Sequence, residues 1–146
     1  MNLDQMLTLP AHLLRRAHQL STAIFAVELA QEDLTAIQYA SLVAIADLEQ
    51  PDTTKLSAMI GVDRATLGGV VDRLESKGLL SRKPSSRDRR TKLLSISEEG
   101  RDLLKRVEPA VRRVQQRLVE PLDTEESRLL CEILGKVLER GAQTTD

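Results

Sequence analysis

The chain has 146 residues, a formal net charge of −1 and a 41% hydrophobic composition. That suits one domain, or one domain with an appended dimerisation element, whose core needs no staples. One cysteine, Cys131, excludes an internal disulfide and any multi-cysteine zinc site. No apolar run approaches the roughly 18 residues of a membrane span, and no signal-peptide pattern opens the chain, so a soluble, unprocessed, cytoplasmic protein with no membrane partner is expected.

Apolar residues recur at helical spacing from about Leu9 to Gln31, with Leu13, Ala17, Leu20, Ile24 and Val27 on one side, which predicts a long first helix. Thr35 and Gln38 form a capping-box signature before Tyr39, Leu42, Val43, Ile45 and Ala46, placing a second helix from about Ala36 to Leu48. After Pro51-Asp52, Thr53 or Thr54 can cap a short helix carrying Leu56, Met59 and Ile60, with Gly61 as its stop. Asp63 caps the next helix, with Leu67, Val70, Val71 and Leu74 inward and Gly78 closing it.

Leu79 to Lys83 and Thr91 to Ile96 read as short strands around the Pro84-Ser-Ser-Arg-Asp turn. Ser97 caps a long helix, about Glu98 to Val119, in which Pro109 predicts a bend or break near Glu108. Asp123 with Glu126 caps a final helix bearing Leu129, Leu130, Ile133, Leu134, Val137 and Leu138, and the tail from Gln143 is expected to fray.

Two helices joined by a tight Gly-containing turn and followed by a hairpin define a winged helix-turn-helix, in a chain that is mainly α (α+β). Residues 35–97 then form a DNA-binding lobe. The segments 9–34 and 98–141 form a dimerisation region, because long amphipathic helices cannot hide an apolar stripe alone and a second copy covers it most economically. A monomer with its terminal helices folded back is the alternative.

Charge distribution says more than the total. From Arg64 to Lys92 nine cations face three acids, a net of +6, so the other residues sum to −7. A basic module in an acidic frame fits a double-stranded DNA partner. Its densest part, Arg87-Asp88-Arg89-Arg90, lies on the hairpin turn, where a guanidinium can project into a groove.

Three segments carry a family resemblance: Asp63-Arg-Ala-Thr-Leu, Val71-Asp-Arg-Leu-Glu-Ser-Lys-Gly-Leu-Leu-Ser-Arg, and Asp88-Arg-Arg with Leu94-Ser-Ile-Ser-Glu-Glu-Gly. Over nearly its whole length the chain resembles the MarR family of bacterial winged-helix regulators. The resemblance implies a homodimer that binds a pseudo-palindromic operator, usually as a repressor, and releases it when a small molecule or oxidant acts.

On this reading Arg64, Ala65, Thr66, Gly68, Gly69 and Arg73 occupy the exposed side of the recognition helix, with Arg64 and Arg73 as anchors. Arg90 matches the family arginine that enters the minor groove, and Asp88 can hold its guanidinium through a bidentate pair. Arg87 and Arg89 are expected at phosphates. Gly68-Gly69 departs from relatives, which commonly carry polar or basic side chains there. It implies a helix backbone unusually close to DNA or to a neighbouring helix.

Family effectors usually lie between the dimerisation helices and the DNA-binding lobe. Arg15, His18 and Thr22 share a side of the first helix away from the apolar stripe, with Phe25 and Leu29 at its edge. Cation, imidazole and ring together suit an aromatic carboxylate, and Pro10-Ala-His-Leu-Leu-Arg-Arg resembles relatives that control aromatic-acid degradation. A solvated face is the alternative for Arg15. His12 and His18 do not stack on one face, so no metal or other cofactor is expected. Cys131 is expected as an inert packed thiol on the last helix.

An enzyme would need a nucleophile with a base, or a metal or phosphate cradle, and the sequence offers none. Two rivals stay open: a winged helix that binds another protein, and a DNA-binding regulator without a ligand.

Overall fold

A computed structural model describes the backbone of residues 1–142 and the side chains through residue 139; the tail from Gln143 expected to fray lies outside the described residues. The elements in order are α1 (Leu3–Leu7), α2 (Pro10–Glu28), α3 (Ala36–Asp47), α4 (Thr53–Ile60), α5 (Arg64–Ser76), β1 (Leu80–Pro84), β2 (Lys92–Ile96), α6 (Glu98–Val119) and α7 (Thr124–Ala142). The fold is mainly helical with one antiparallel pair, Leu80 opposite Ile96 and Pro84 opposite Lys92.

Helix boundaries follow their caps. Thr35 accepts from the Gln38 N–H while the Gln38 side chain accepts from the Thr35 N–H, the reciprocal box expected there. Asp123 and Glu126 exchange the same pair of bonds at 2.8 and 2.9 Å. Asp52, not Thr53 or Thr54, caps α4, because its carboxylate accepts from the Lys55 N–H at 2.7 Å. The short α1 was not expected, although Asn2 and Gln5 form a capping box of the same type. Gly61 (φ 67°) and Gly78 (φ 72°) take left-handed turns at the ends of α4 and α5, a conformation that favours glycine.

Leu42, Leu56, Leu67, Val71, Leu74 and Leu94 fill the centre of the lobe, and Ile24, Phe25 and Leu29 meet Leu103, Val107 and Val114 where α2 packs on α6. Phe25 and Tyr39 face each other between α2 and α3, ring centroids 6.1 Å apart and planes inclined by 51°. Val43 and Met59, apolar residues of α3 and α4, are 40% and 60% exposed. Gln38 and Ser41 are buried on α3 instead, each satisfied by a local hydrogen bond.

Of the bend or break expected near Glu108, the break does not occur: α6 is one helix with Pro109 inside it. Its two halves are held independently of the lost Pro N–H. Arg106 donates to Glu32 on the near side, and Arg113 and Arg117 donate to Glu28 on the far side, both at 2.8 Å.

The apolar stripe expected on the first helix divides. Ile24 is buried, but Leu13, Leu20 and Val27 are 53–65% exposed. On α7, Ile133, Val137 and Leu138 are likewise open. Cys131, expected to be packed, is exposed on the same helix, because nothing in one chain covers that face.

Candidate nucleic-acid interface

Asp63 builds the start of the recognition helix α5. One carboxylate oxygen accepts from the Thr66 N–H at 2.9 Å and the other from the Thr66 hydroxyl at 2.6 Å, and these bonds hold the Asp63 carboxyl below its ordinary range. Leu67, Val71 and Leu74 anchor the inward face. Arg64, Ala65, Thr66, Gly69 and Arg73 are exposed and Gly68 is half-exposed, so the six residues expected at DNA share the outer side. The Thr66 hydroxyl proton is committed to the cap, which leaves its oxygen to accept and its methyl to pack.

The wing tip holds its shape through its own backbone and side chains. The Arg87 N–H donates to the Ser85 hydroxyl, Ser85 N–H to the Thr91 carbonyl and Thr91 N–H to the Asp88 carbonyl. The Asp88 carboxylate accepts from the backbone N–H of Arg90 at 3.0 Å. The expected bidentate pair between Asp88 and the Arg90 guanidinium is therefore absent here. An aspartate two residues before the amide satisfies the turn locally, and that bond competes with the ion pair.

Counting cations along the sequence could not sort them by task. Arg82 on β1 is spent inside the protein: its guanidinium reaches Glu75 at 2.5 and 2.9 Å and Asp72 at 2.9 Å, which raises its pKa further. Lys77 is paired with Asp33. Both pairs join residues far apart or on different elements, so no local spacing announces them. Among the described residues, Arg64, Arg73, Lys83, Arg87, Arg89, Arg90 and Lys92 have no acidic partner within 4 Å. They are the cations of this stretch that no described acid of the chain holds.

Arg15, His18 and Thr22 do share an exposed side of α2. Arg15 Nη2 lies 3.3 Å from His12 Nδ1, and the Thr22 hydroxyl donates to the His18 carbonyl. Phe25 and Leu29, expected at the edge of that side, belong to the core instead. A concavity of about 600 Å³ opens elsewhere, among Ile45, Leu48, Gln50, Ser95, Ile96 and Arg101, where the end of α3 meets β2 and the first turn of α6. None of the three α2 residues lines it within one chain. The described residues hold no cluster suited to a metal ion, and no described helix is long and apolar enough to cross a membrane.

A capped recognition helix beside an arginine-tipped hairpin, both exposed and carrying cations that no described acid of the chain pairs, defines a winged-helix DNA-binding protein. The MarR family model matches residues 34–92, the lobe that carries both elements. The chain is 32% identical to the HTH-type transcriptional repressor NicR of Pseudomonas putida over 88% of its own length and 81% of the relative's. Its fold matches Bordetella bronchiseptica BpsR, whose DNA binding is regulated by 6-hydroxynicotinic acid, with a TM-score of 0.86, 30% identity and coverage of 90% and 94% of the two chains. It also matches the transcriptional repressor CouR bound to a 23-mer DNA duplex, with a TM-score of 0.86, 26% identity and coverage of 94% and 98%. The chain belongs to the MarR family. It is a DNA-binding transcriptional regulator and not an enzyme.

Proposed function

We propose that the protein is a cytoplasmic homodimeric repressor that holds a pseudo-palindromic operator and releases it when an aromatic carboxylate binds. The observation that carries the DNA half is the sorting of charge: Asp72 and Glu75 are spent on Arg82, Asp52 and Asp63 on caps and Asp88 on a turn amide, while the recognition helix and wing keep unpartnered cations. Arg64 and Arg73 flank the reading face, Arg90 enters the minor groove, and Arg87 and Arg89 meet phosphates.

Segments 9–34 and 98–141 form the dimer. Support comes from Leu13, Leu20 and Val27 on α2 and Ile133 and Val137 on α7, apolar side chains that one chain leaves in water. A two-fold dimer would present two recognition helices about 34–36 Å apart, the spacing of successive major grooves.

The effector reading draws on BpsR, which answers to an aromatic acid, and on two features of this chain. Arg15, His18 and Thr22 offer a cation and polar groups on α2, and the concavity beside Arg101 lies where the reading lobe meets α6. An effector that fixes another spacing of the recognition helices lowers operator affinity by roughly 5- to 150-fold, the usual range of such coupling.

The test is binding to the protein's own upstream DNA and to a scrambled duplex across a salt series, with and without 6-hydroxynicotinate. Selective binding with a steep salt slope, weakened by the acid, supports the whole reading. Selective binding that the acid leaves unchanged, across a panel of aromatic acids, leaves a regulator without this class of effector. Equal weak binding to every genomic fragment would favour a protein partner for the wing.

A further inference from the structure

The recognition helix packs on α3, α4 and β1, while charged side chains tie its C-terminal end to more distant parts of the chain. Lys77, the residue that caps α5, sends its ammonium to the α2–α3 loop. Its Nζ lies 2.7 Å from Asp33 Oδ2 and donates to the Asp33 backbone carbonyl as well. The preceding residue, Glu32, is gripped by Arg106 of α6 at 3.0 Å. Two adjacent carboxylates thus face opposite ways, one to the long helix α6 and the other to the end of the reading helix. Arg82 extends the connection from α5 to the wing strand through Asp72 and Glu75.

Asp33 has a φ of 45°, one of two non-glycine residues with positive φ among those described. Aspartate enters that region more readily than most residues, but still at a cost. Its side chain is 95% exposed, and exposed ion pairs add little to folding. A strained turn that brings both carbonyl and carboxylate to one cation, for so small a folding return, points to a task other than stability.

We propose that Lys77 is a positioning residue: through Asp33 it sets the angle of the recognition helix against the dimerisation helices, and so fixes the half-site spacing that the dimer accepts. The proposal rests on the dimer reading above. It places Lys77 behind the reading surface, unlike Arg64 and Arg73.

The experiment starts from an operator selected out of random duplexes by the wild-type protein. Single base pairs are then inserted or deleted between its half-sites. The wild type should lose about tenfold or more in affinity at each altered spacing. Lys77→Met should flatten that profile to about threefold or less while scrambled-DNA affinity stays unchanged, and Lys77→Arg should restore it. Lys77→Gln, which removes the ammonium from both Asp33 acceptors and stays polar at an exposed position, provides a second route to the same profile should Lys77→Met fold poorly.

A wild-type spacing profile in a folded Lys77→Met or Lys77→Gln variant overturns the proposal. So does uniform weakening on all DNAs with a salt slope reduced by about one, which would make Lys77 a phosphate contact. If the wild type selects a single half-site or ignores spacing, the dimer reading fails first and the proposal with it, and this is seen before any variant is measured.

Discussion

A β-carbon added at Gly100 would collide with the carbonyl oxygen of Leu79 and the side chain of Ile96, whereas one added at Gly68 or Gly69 would meet nothing within 4 Å. The first glycine serves the fold. Ser97 accepts from the Gly100 N–H and donates to the Gly78 carbonyl at 2.7 Å, drawing the start of α6 against the turn that leaves the recognition helix. Gly100→Ala should cost about 1–3 kcal/mol, because the colliding atom is backbone and cannot swing away. Thermal melting against the wild type checks this, and an unchanged Tm would mean that the α6 start has room to shift.

A Cβ at Gly68 has open space, which removes a neighbouring helix of its own chain as the reason for the glycine. Gly68→Ala should stabilise the fold by about 0.5–1 kcal/mol and, if the helix backbone lies close to DNA, weaken operator binding. A variant that gains stability and keeps full affinity rejects close approach.

Among the elements, what could be read in advance was what is encoded locally. The caps at Thr35, Asp63, Ser97 and Asp123 and the stops at Gly61 and Gly78 fall where side-chain chemistry puts them. The strands are displaced by one residue at their starts. What could not be read depended on partners distant in sequence. Pro109 looked like a break because the ties of α6 to Glu28 and Glu32 are 74 to 89 residues away. The nine cations looked alike until Arg82 and Lys77 proved to be spent internally. Asp88 was expected to hold a guanidinium but holds an amide.

The α2–α6 tie also makes a pH prediction. Hydrogen bonds from Arg113 and then Arg117 hold the Glu28 carboxyl below its ordinary value of 4.5. A carboxyl with a lower pKa folded than unfolded contributes stability that is fully present above the unfolded value and is lost as pH falls through the folded one. Glu28→Gln should therefore melt below the wild type at neutral pH, with the gap closing below about pH 4.5. A gap that persists in acid would assign the loss to packing.

At the scale of the molecule, acid and base are divided by task. The basic face of the lobe is offered outward, while the acids of the α2 end and its loop, Glu28, Glu32 and Asp33, bind cations of α6 and α5. Apolar surface is divided as well: the lobe closes its own core, and the terminal helices leave Leu20, Val27 and Ile133 open. The two halves meet where α2 and α6 pack on α3.

Phe25 and Tyr39 sit at that meeting and are the chain's only aromatic residues. The protein thus carries a single phenol chromophore and no indole, placed where α2 meets α3. Its near-ultraviolet circular dichroism above the phenylalanine bands is a one-residue gauge of how α2 lies on α3. An effector that moves the lobe should change the part of this band that Tyr39→Phe removes, read as the wild-type minus variant difference so that the signal induced in the bound effector cancels. A band unmoved by an effector that releases DNA would place the motion elsewhere, within the lobe itself. With no tryptophan emission to interfere, the fluorescence of a bound aromatic acid can be followed in the same cuvette.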